Sequence, residues 1–102
     1  MKAWFNQARL ALLQNIMQIR IYTKAYCSYC YAAKNLLTRR GLAFEEVPLS
    51  GDFEMEKEMR NLTGGTTVPQ ILIDGVPIGG YTDLVDLDMQ GKLEGSNAAS
   101  GA

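Results

Sequence analysis

Histidine is absent from the 102-residue sequence, which removes the imidazole base from every Cys–His or Ser–His nucleophile scheme. Cysteine is scarce: Cys27 and Cys30 are the only two. Two thiolates alone cannot complete a tetrahedral zinc site. A bridge between them would close too short a loop to constrain the unfolded chain much. Acidic residues are missing from the first 44 positions, where Lys2, Arg9, Arg20, Lys24, Lys34, Arg39 and Arg40 precede the first carboxylate, Glu45. All the acids lie beyond, against only Lys57, Arg60 and Lys92. Long apolar runs are missing too. None approaches the ~20 residues of a membrane span, and Asn6, Gln7, Arg9 and Gln14 interrupt the apolar core that a secretory leader needs. The expectation is a soluble protein with no membrane partner, cytoplasmic, or organellar if residues 1–17 are a targeting segment.

What is present centres on Lys24-Ala25-Tyr26-Cys27-Ser28-Tyr29-Cys30. The stretch follows a β-branched run, Ile19 to Thr23, and precedes a run with helical composition, Tyr31 to Arg39. A Cys-x-x-Cys at a strand-to-helix junction beside a βαβ pattern points to thiol–disulfide redox chemistry. With no imidazole available, thiolate activation falls to backbone dipoles and to Lys or Arg. Cys27 lies where helix N–H groups are unpaired, and Lys24 adds positive charge nearby; both favour its thiolate, the attacking species. Cys30, on the same helical face one turn deeper, is expected to be less exposed and to act as the resolving thiol. Nucleic acid is not expected as a partner, because the cations are dispersed and the acidic second half repels phosphate.

Along the chain, residues 3–17 read as an amphipathic helix with Phe5, Ala8, Leu12 and Ile16 on one face. A packed helix, a targeting segment and a cloning-derived or mis-assigned extension ahead of Met17 all stay open. Residues 18–23 read as a strand. A helix with Cys27 at its N-cap or first turn follows and is stopped by Gly41. Ala43 to Leu49 read as a second, parallel strand, with Pro48 at its end or on an edge. Gly51-Asp52 opens a helix that Thr63-Gly64-Gly65 ends. Gln70 to Ile73 and Val76 to Ile78 flank Asp74-Gly75, a hairpin signal, and Pro77 belongs on an edge. Gly79 to Asp83 turn into a last helix that ends near Gly91, with Thr82 and Asp83 at its start. The pattern implies an α/β fold: a four-stranded mixed sheet, a parallel pair plus an antiparallel hairpin, flanked by helices, with an extra N-terminal helix. The expected division is an extension over 1–17, one domain over 18–92 and a disordered tail over 93–102.

Three blocks carry a resemblance: Tyr26-Cys27-Ser28-Tyr29-Cys30, Thr67-Val68-Pro69-Gln70 and Gly79-Gly80-Tyr81-Thr82-Asp83-Leu84. In this order and at these intervals they resemble the dithiol glutaredoxins, over residues 18–92. The departure is Ser28, where that family most often has Pro. The resemblance implies a thioredoxin-like fold, a cis Val68-Pro69 bond facing the cysteines, and glutathione as co-substrate. A peptide such as glutathione would pair with the Val68 backbone as an added strand. Its γ-glutamyl carboxylate would meet the last helix N-terminus at Gly80 and Thr82, and its ammonium Asp83. Lys24 would meet the glycine carboxylate, with Arg60 as a second cation. Tyr29 would pack on the peptide, and Thr67 flanks it. Catalysis would rest on Cys27 as nucleophile and Cys30 as resolver.

The function so implied is a glutathione-dependent thiol–disulfide oxidoreductase, monomeric, acting on disulfide-containing or glutathionylated proteins. The alternative is a dimer bridged by a [2Fe–2S] cluster, each chain giving Cys27 as metal ligand and each site one glutathione thiol; Ser28 is the residue on which it turns. A thioredoxin-like protein served by a reductase is the third reading. It leaves the Gly79–Asp83 block without a role.

Overall fold

A computed structural model describes residues 17–93. The strands are β1 (Ile19–Thr23), β2 (Glu45–Pro48), β3 (Gln70–Ile73) and β4 (Val76–Gly79); the helices are α1 (Ser28–Arg39), α2 (Phe53–Thr63) and α3 (Tyr81–Met89). Alternation along β1 decides the layering, because successive side chains of a strand point to opposite faces. Ile19 and Ile21 join Ala33, Leu36 and Leu37 of α1, Leu84 of α3, Leu42 and Ile71 in one buried cluster. Tyr22 points the other way and packs with Leu49, Leu72 and Met59 of α2. β3 repeats the split, Ile71 to the first cluster and Leu72 to the second. Helices α1 and α3 therefore cover one face of the sheet and α2 covers the other.

The sheet order is β2-β1-β3-β4. β1 runs parallel to β2 and antiparallel to β3, and β3 pairs antiparallel with β4. This is the mixed four-stranded sheet expected from the sequence. Pro48 and Pro77 fall on the two edge strands, where a missing N–H costs no ladder bond. Asp74 and Gly75 take φ of 52° and 81°, the backbone a two-residue hairpin requires. The β3–β4 register shifts between Ile71 and Leu72, just where β4 runs out toward Gly80.

Local chemistry sets the helix ends. The Asp52 carboxylate accepts from the Met55 N–H at 3.1 Å and caps α2, whose acids Glu54 and Glu56 sit in the first turn. Gly64, at φ 76°, closes α2 in the left-handed conformation that glycine adopts without strain. Beyond α1, Gly41 at φ 72° returns its N–H to the Thr38 carbonyl, and Leu42 N–H reaches Leu37.

Some boundaries differ from the sequence expectation. α1 does start where expected, with Cys27 as its N-cap and the Cys27 sulfur making the capping bond. β2 is four residues, not seven. α3 is capped at Gly80, with Thr82 and Asp83 already inside its first turn. The globular part also passes both expected limits. Met17 packs against the first cluster, and Leu93, expected in the tail, is fully buried in it, since an apolar side chain beside α3 gains by leaving water. The expected N-terminal helix lies outside the described residues apart from Met17, as does the rest of the tail. Among the described residues, no helix is long and apolar enough to cross a membrane.

Candidate active site

Strand β1 ends at Thr23, and the loop Lys24–Tyr26 turns the chain into α1, so the cysteines stand at the end of the sheet. Tyr26 makes that turn at φ 59°, and the residue is 96% exposed. Cys27 has extended backbone (φ −106°, ψ 107°), and its sulfur accepts a hydrogen bond from the Cys30 N–H at 3.2 Å. This is the place of an N-cap oxygen, and an anionic sulfur accepts such a bond more strongly than a neutral one. Both cysteines are free thiols, Cys27 half-buried and Cys30 buried at 2% exposure. Burial, with the Cys27 sulfur next in importance, pushes the Cys30 thiol up to about 11. One thiol is therefore reachable and the other is held protonated behind it.

Across from Cys27 lies the loop before β3. Val68-Pro69 is a cis peptide. The Val68 carbonyl is 4.0 Å from the Cys27 sulfur. Val68 is half-buried, Pro69 buried and Thr67 exposed, the Thr67 hydroxyl accepting from the Gln70 amide at 3.5 Å. The third block abuts the second: a Cβ built on Gly80 would stand 3.3 Å from the Pro69 carbonyl, so the two backbones approach closely. The Asp83 carboxylate accepts from the Gly80 N–H at 2.9 Å. Gly79, at φ 110°, leaves the space that this carboxylate fills; any Cβ there would collide with it. Thr82 is exposed beside it in the first turn of α3. Cys27, Val68, Pro69, Gly80 and Asp83 thus form a chain of direct neighbours drawn from three separate segments.

Three placements are less simple. Tyr29 is 64% exposed, and its ring stacks on Tyr81 (centroids 5.9 Å apart, planes at 34°), a pairing that joins the first turns of α1 and α3. Lys24 and Arg60 both converge on Glu56, at 3.6 Å and 3.9 Å. Behind Cys30, a cavity of about 180 Å³ is lined by Thr23, Lys24, Cys30, Lys34 and Glu46 among others. There the buried Thr23 hydroxyl donates to Glu46 at 2.7 Å and the Lys34 ammonium at 3.0 Å, and these contacts, the hydroxyl foremost, hold the Glu46 carboxyl below its ordinary range. Tyr81, Glu56 and Glu46 were not singled out by sequence. Apart from Arg60, one helical turn from Glu56, their partners lie in other segments of the chain, and no short motif encodes them.

A family model described as Glutaredoxin matches residues 19–78. Glutaredoxin 3 of Escherichia coli strain K12 is 47% identical over 76 residues, covering 74% of this chain and 92% of its own. The solution structure of glutaredoxin from Brucella melitensis superposes with a TM-score of 0.68 at 41% identity, over 79% of this chain and 87% of that one. A buckwheat glutaredoxin–glutathione complex superposes with a TM-score of 0.68 at 28% identity, over 84% of this chain and 81% of that one.

Proposed function

The chain belongs to the glutaredoxin family of thiol–disulfide oxidoreductases, and from that premise we propose that it is glutathione-dependent, with Cys27 as nucleophile and Cys30 as resolving thiol. The observation that carries this is the asymmetry of the pair: Cys27 half-buried at the helix cap opposite the Val68 carbonyl, Cys30 buried and protonated. The Cys27 thiolate attacks the glutathionyl sulfur of a mixed disulfide. The old S–S bond breaks, the protein thiolate leaves and takes a proton from water, and Cys27 carries glutathione. A second glutathione thiolate attacks that adduct, releases glutathione disulfide and restores Cys27. On a protein disulfide, Cys27 first forms a mixed disulfide with the protein. Cys30 then attacks the Cys27 sulfur, its proton passing to the leaving thiolate, and two glutathiones reduce the resulting Cys27–Cys30 bridge.

The proposed ligand contacts are as follows. An extended peptide thiol pairs with the Val68 backbone. Its γ-glutamyl end lies at the α3 N-terminus, with Gly80 and Thr82 at its carboxylate and Asp83 at its ammonium. Thr67 flanks it, and Lys24 and Arg60 face its glycine carboxylate. Tyr29, held by Tyr81, offers a ring face along the peptide. The similar buckwheat protein was solved as a glutathione complex, which supports this ligand. The proposed setting is a monomer in the reducing cytoplasm, acting on glutathionylated or disulfide-containing proteins.

The cluster-bridged dimer makes a different demand. A [2Fe–2S] cluster takes four ligands, usually thiolates. Cys27 is the accessible one here, and among the described residues no group of three or more His, Cys, Asp or Glu is placed to hold a metal. A cluster would therefore need two copies of the chain and two glutathione thiols. Anaerobic purification separates the readings. A colourless monomer active in a glutathione-coupled assay, and inactive as Cys27→Ser, supports the oxidoreductase; a brown dimer that bleaches with loss of glutathione supports the cluster; full activity in Cys27→Ser overturns the mechanism.

A further inference from the structure

Two cations of the proposed ligand site are already engaged. Lys24 stands in the loop three residues before Cys27. Arg60 stands on α2, one helical turn beyond Glu56. The Glu56 carboxylate spans them, Oε2 at 3.6 Å from Lys24 Nζ and Oε1 at 3.9 Å from Arg60 Nη1. Neither separation is a hydrogen bond, so charge alone holds the arrangement. The neighbouring acids are occupied elsewhere. Glu58 accepts from the Tyr22 hydroxyl at 2.8 Å and faces Arg20 at 3.8 Å, and Glu46 takes Thr23 and Lys34. Among the described residues, no other carboxylate lies within ion-pair distance of Lys24 or Arg60.

We propose that Glu56 is an internal competitor for the carboxylate end of the peptide ligand, a specificity residue that holds the Lys24–Arg60 pair until a ligand carboxylate displaces it. The proposal rests on the placement of the ligand's C-terminal carboxylate at Lys24. A free carboxylate can bring its oxygens into hydrogen-bond range of both cations, which Glu56 in its present position does not. With Glu56 in place the ligand meets one net positive charge instead of two. Binding is thereby weakened selectively for ligands that end in a carboxylate, while the chemistry at Cys27 is untouched.

The test uses the reduced full chain and two probes, S-methylglutathione and its glycyl monoethyl ester, titrated by NMR against wild type, Glu56→Gln and Lys24→Ala. Glu56→Gln is expected to tighten S-methylglutathione roughly two- to fivefold, the scale of an exposed ion pair, and to leave the ester unchanged. Lys24→Ala is expected to weaken S-methylglutathione. Unchanged or weaker binding in Glu56→Gln, with Lys24→Ala still weaker than wild type, overturns the competition and leaves the carboxylate site standing. Equal tightening of the ester and the free acid also overturns it, since the effect is then general charge. No change in Lys24→Ala removes the carboxylate site and the competition with it.

Discussion

The Cys30 N–H donates to the Cys27 sulfur at 3.2 Å while the Cys30 side chain itself is buried. One residue thus stabilises the nucleophile through its backbone and withholds its own thiol from water.

That burial predicts an alkaline weakness. The Cys30 thiol is raised from 9.0 to about 11. Below about pH 9 both folded and unfolded chains keep this proton. Between 9 and 11 the unfolded chain releases it and the folded chain does not, so stability falls as pH rises through that window, by about 2 kcal/mol in all. Urea midpoints of the reduced protein at pH 8 and pH 10.5 should fall further apart in wild type than in Cys30→Ala. The buried Tyr22 hydroxyl, also raised by burial, is common to both and cancels.

The same asymmetry predicts a split in activity. Cys30→Ser should lose turnover on protein disulfides, which need a resolving thiol, and retain removal of glutathione from glutathionylated proteins, which needs one thiol. Parallel assays with the two substrate types check it. Equal loss on both would show that Cys30 matters only for the shape of the helix start.

Gly79→Ala should be among the most costly glycine substitutions. It combines φ 110° with a collision with the Asp83 carboxylate, so it strains the backbone and dislodges the bond to Gly80. A loss of about 1–3 kcal/mol is expected. Gly75→Ala is the control, with φ 81° and open space around it. Denaturant titration should find Gly79→Ala the worse by roughly 1 kcal/mol, the scale of a lost helix cap.

Arg40 grips Asp88 with two hydrogen bonds, 2.6 Å and 2.9 Å, and so ties the end of α1 to the end of α3. The guanidinium holds the Asp88 carboxyl below its ordinary value near 3.8. The stabilisation is therefore present at neutral pH and lost as pH falls below about 4 toward the lowered folded value. Solvent screens a pair this exposed, so Arg40→Ala should cost no more than about 1 kcal/mol at pH 7. The difference from wild type should vanish in acid, which a pH series of thermal midpoints reads.

Much of the fold was legible because its turns are written in local chemistry. Asp74-Gly75 takes the two positive φ angles that its composition promised, and β3 begins and ends where expected. Cys27 and Cys30 were legible for the same reason, since three residues on a helix start fix which is outer and which inner. The helix starts were harder. At α1 the capping position of Cys27 was legible, but not that its sulfur would do the work of the usual capping oxygen. At α3, Thr82 and Asp83 look like caps, but Asp83 reaches back to Gly80 from inside the first turn. Contacts that depend on how distant segments pack were not legible. Tyr29 meets Tyr81, and Glu56 meets Lys24, only because the sheet brings α3 and α2 against the cysteine loop.

Charge is segregated along the chain and interleaved in the fold. With the chain divided into a first part of 44 residues and a second part from Glu45 on, among the described residues Arg20–Glu45, Arg20–Glu58, Lys24–Glu56, Lys34–Glu46 and Arg40–Asp88 each join a cation of the first part to an acid of the second, and Arg60–Glu56 alone lies within one part. Residues 1–44 therefore carry cations with no acid among them. Compact but wrong arrangements of residues 1–44 alone gain no ion pairs, and the native contact of this part with the rest gains nearly all of those among the described residues. Individually weak surface pairs thus act in concert as a bias toward the correct topology, rewarding only the arrangement in which the two parts have met.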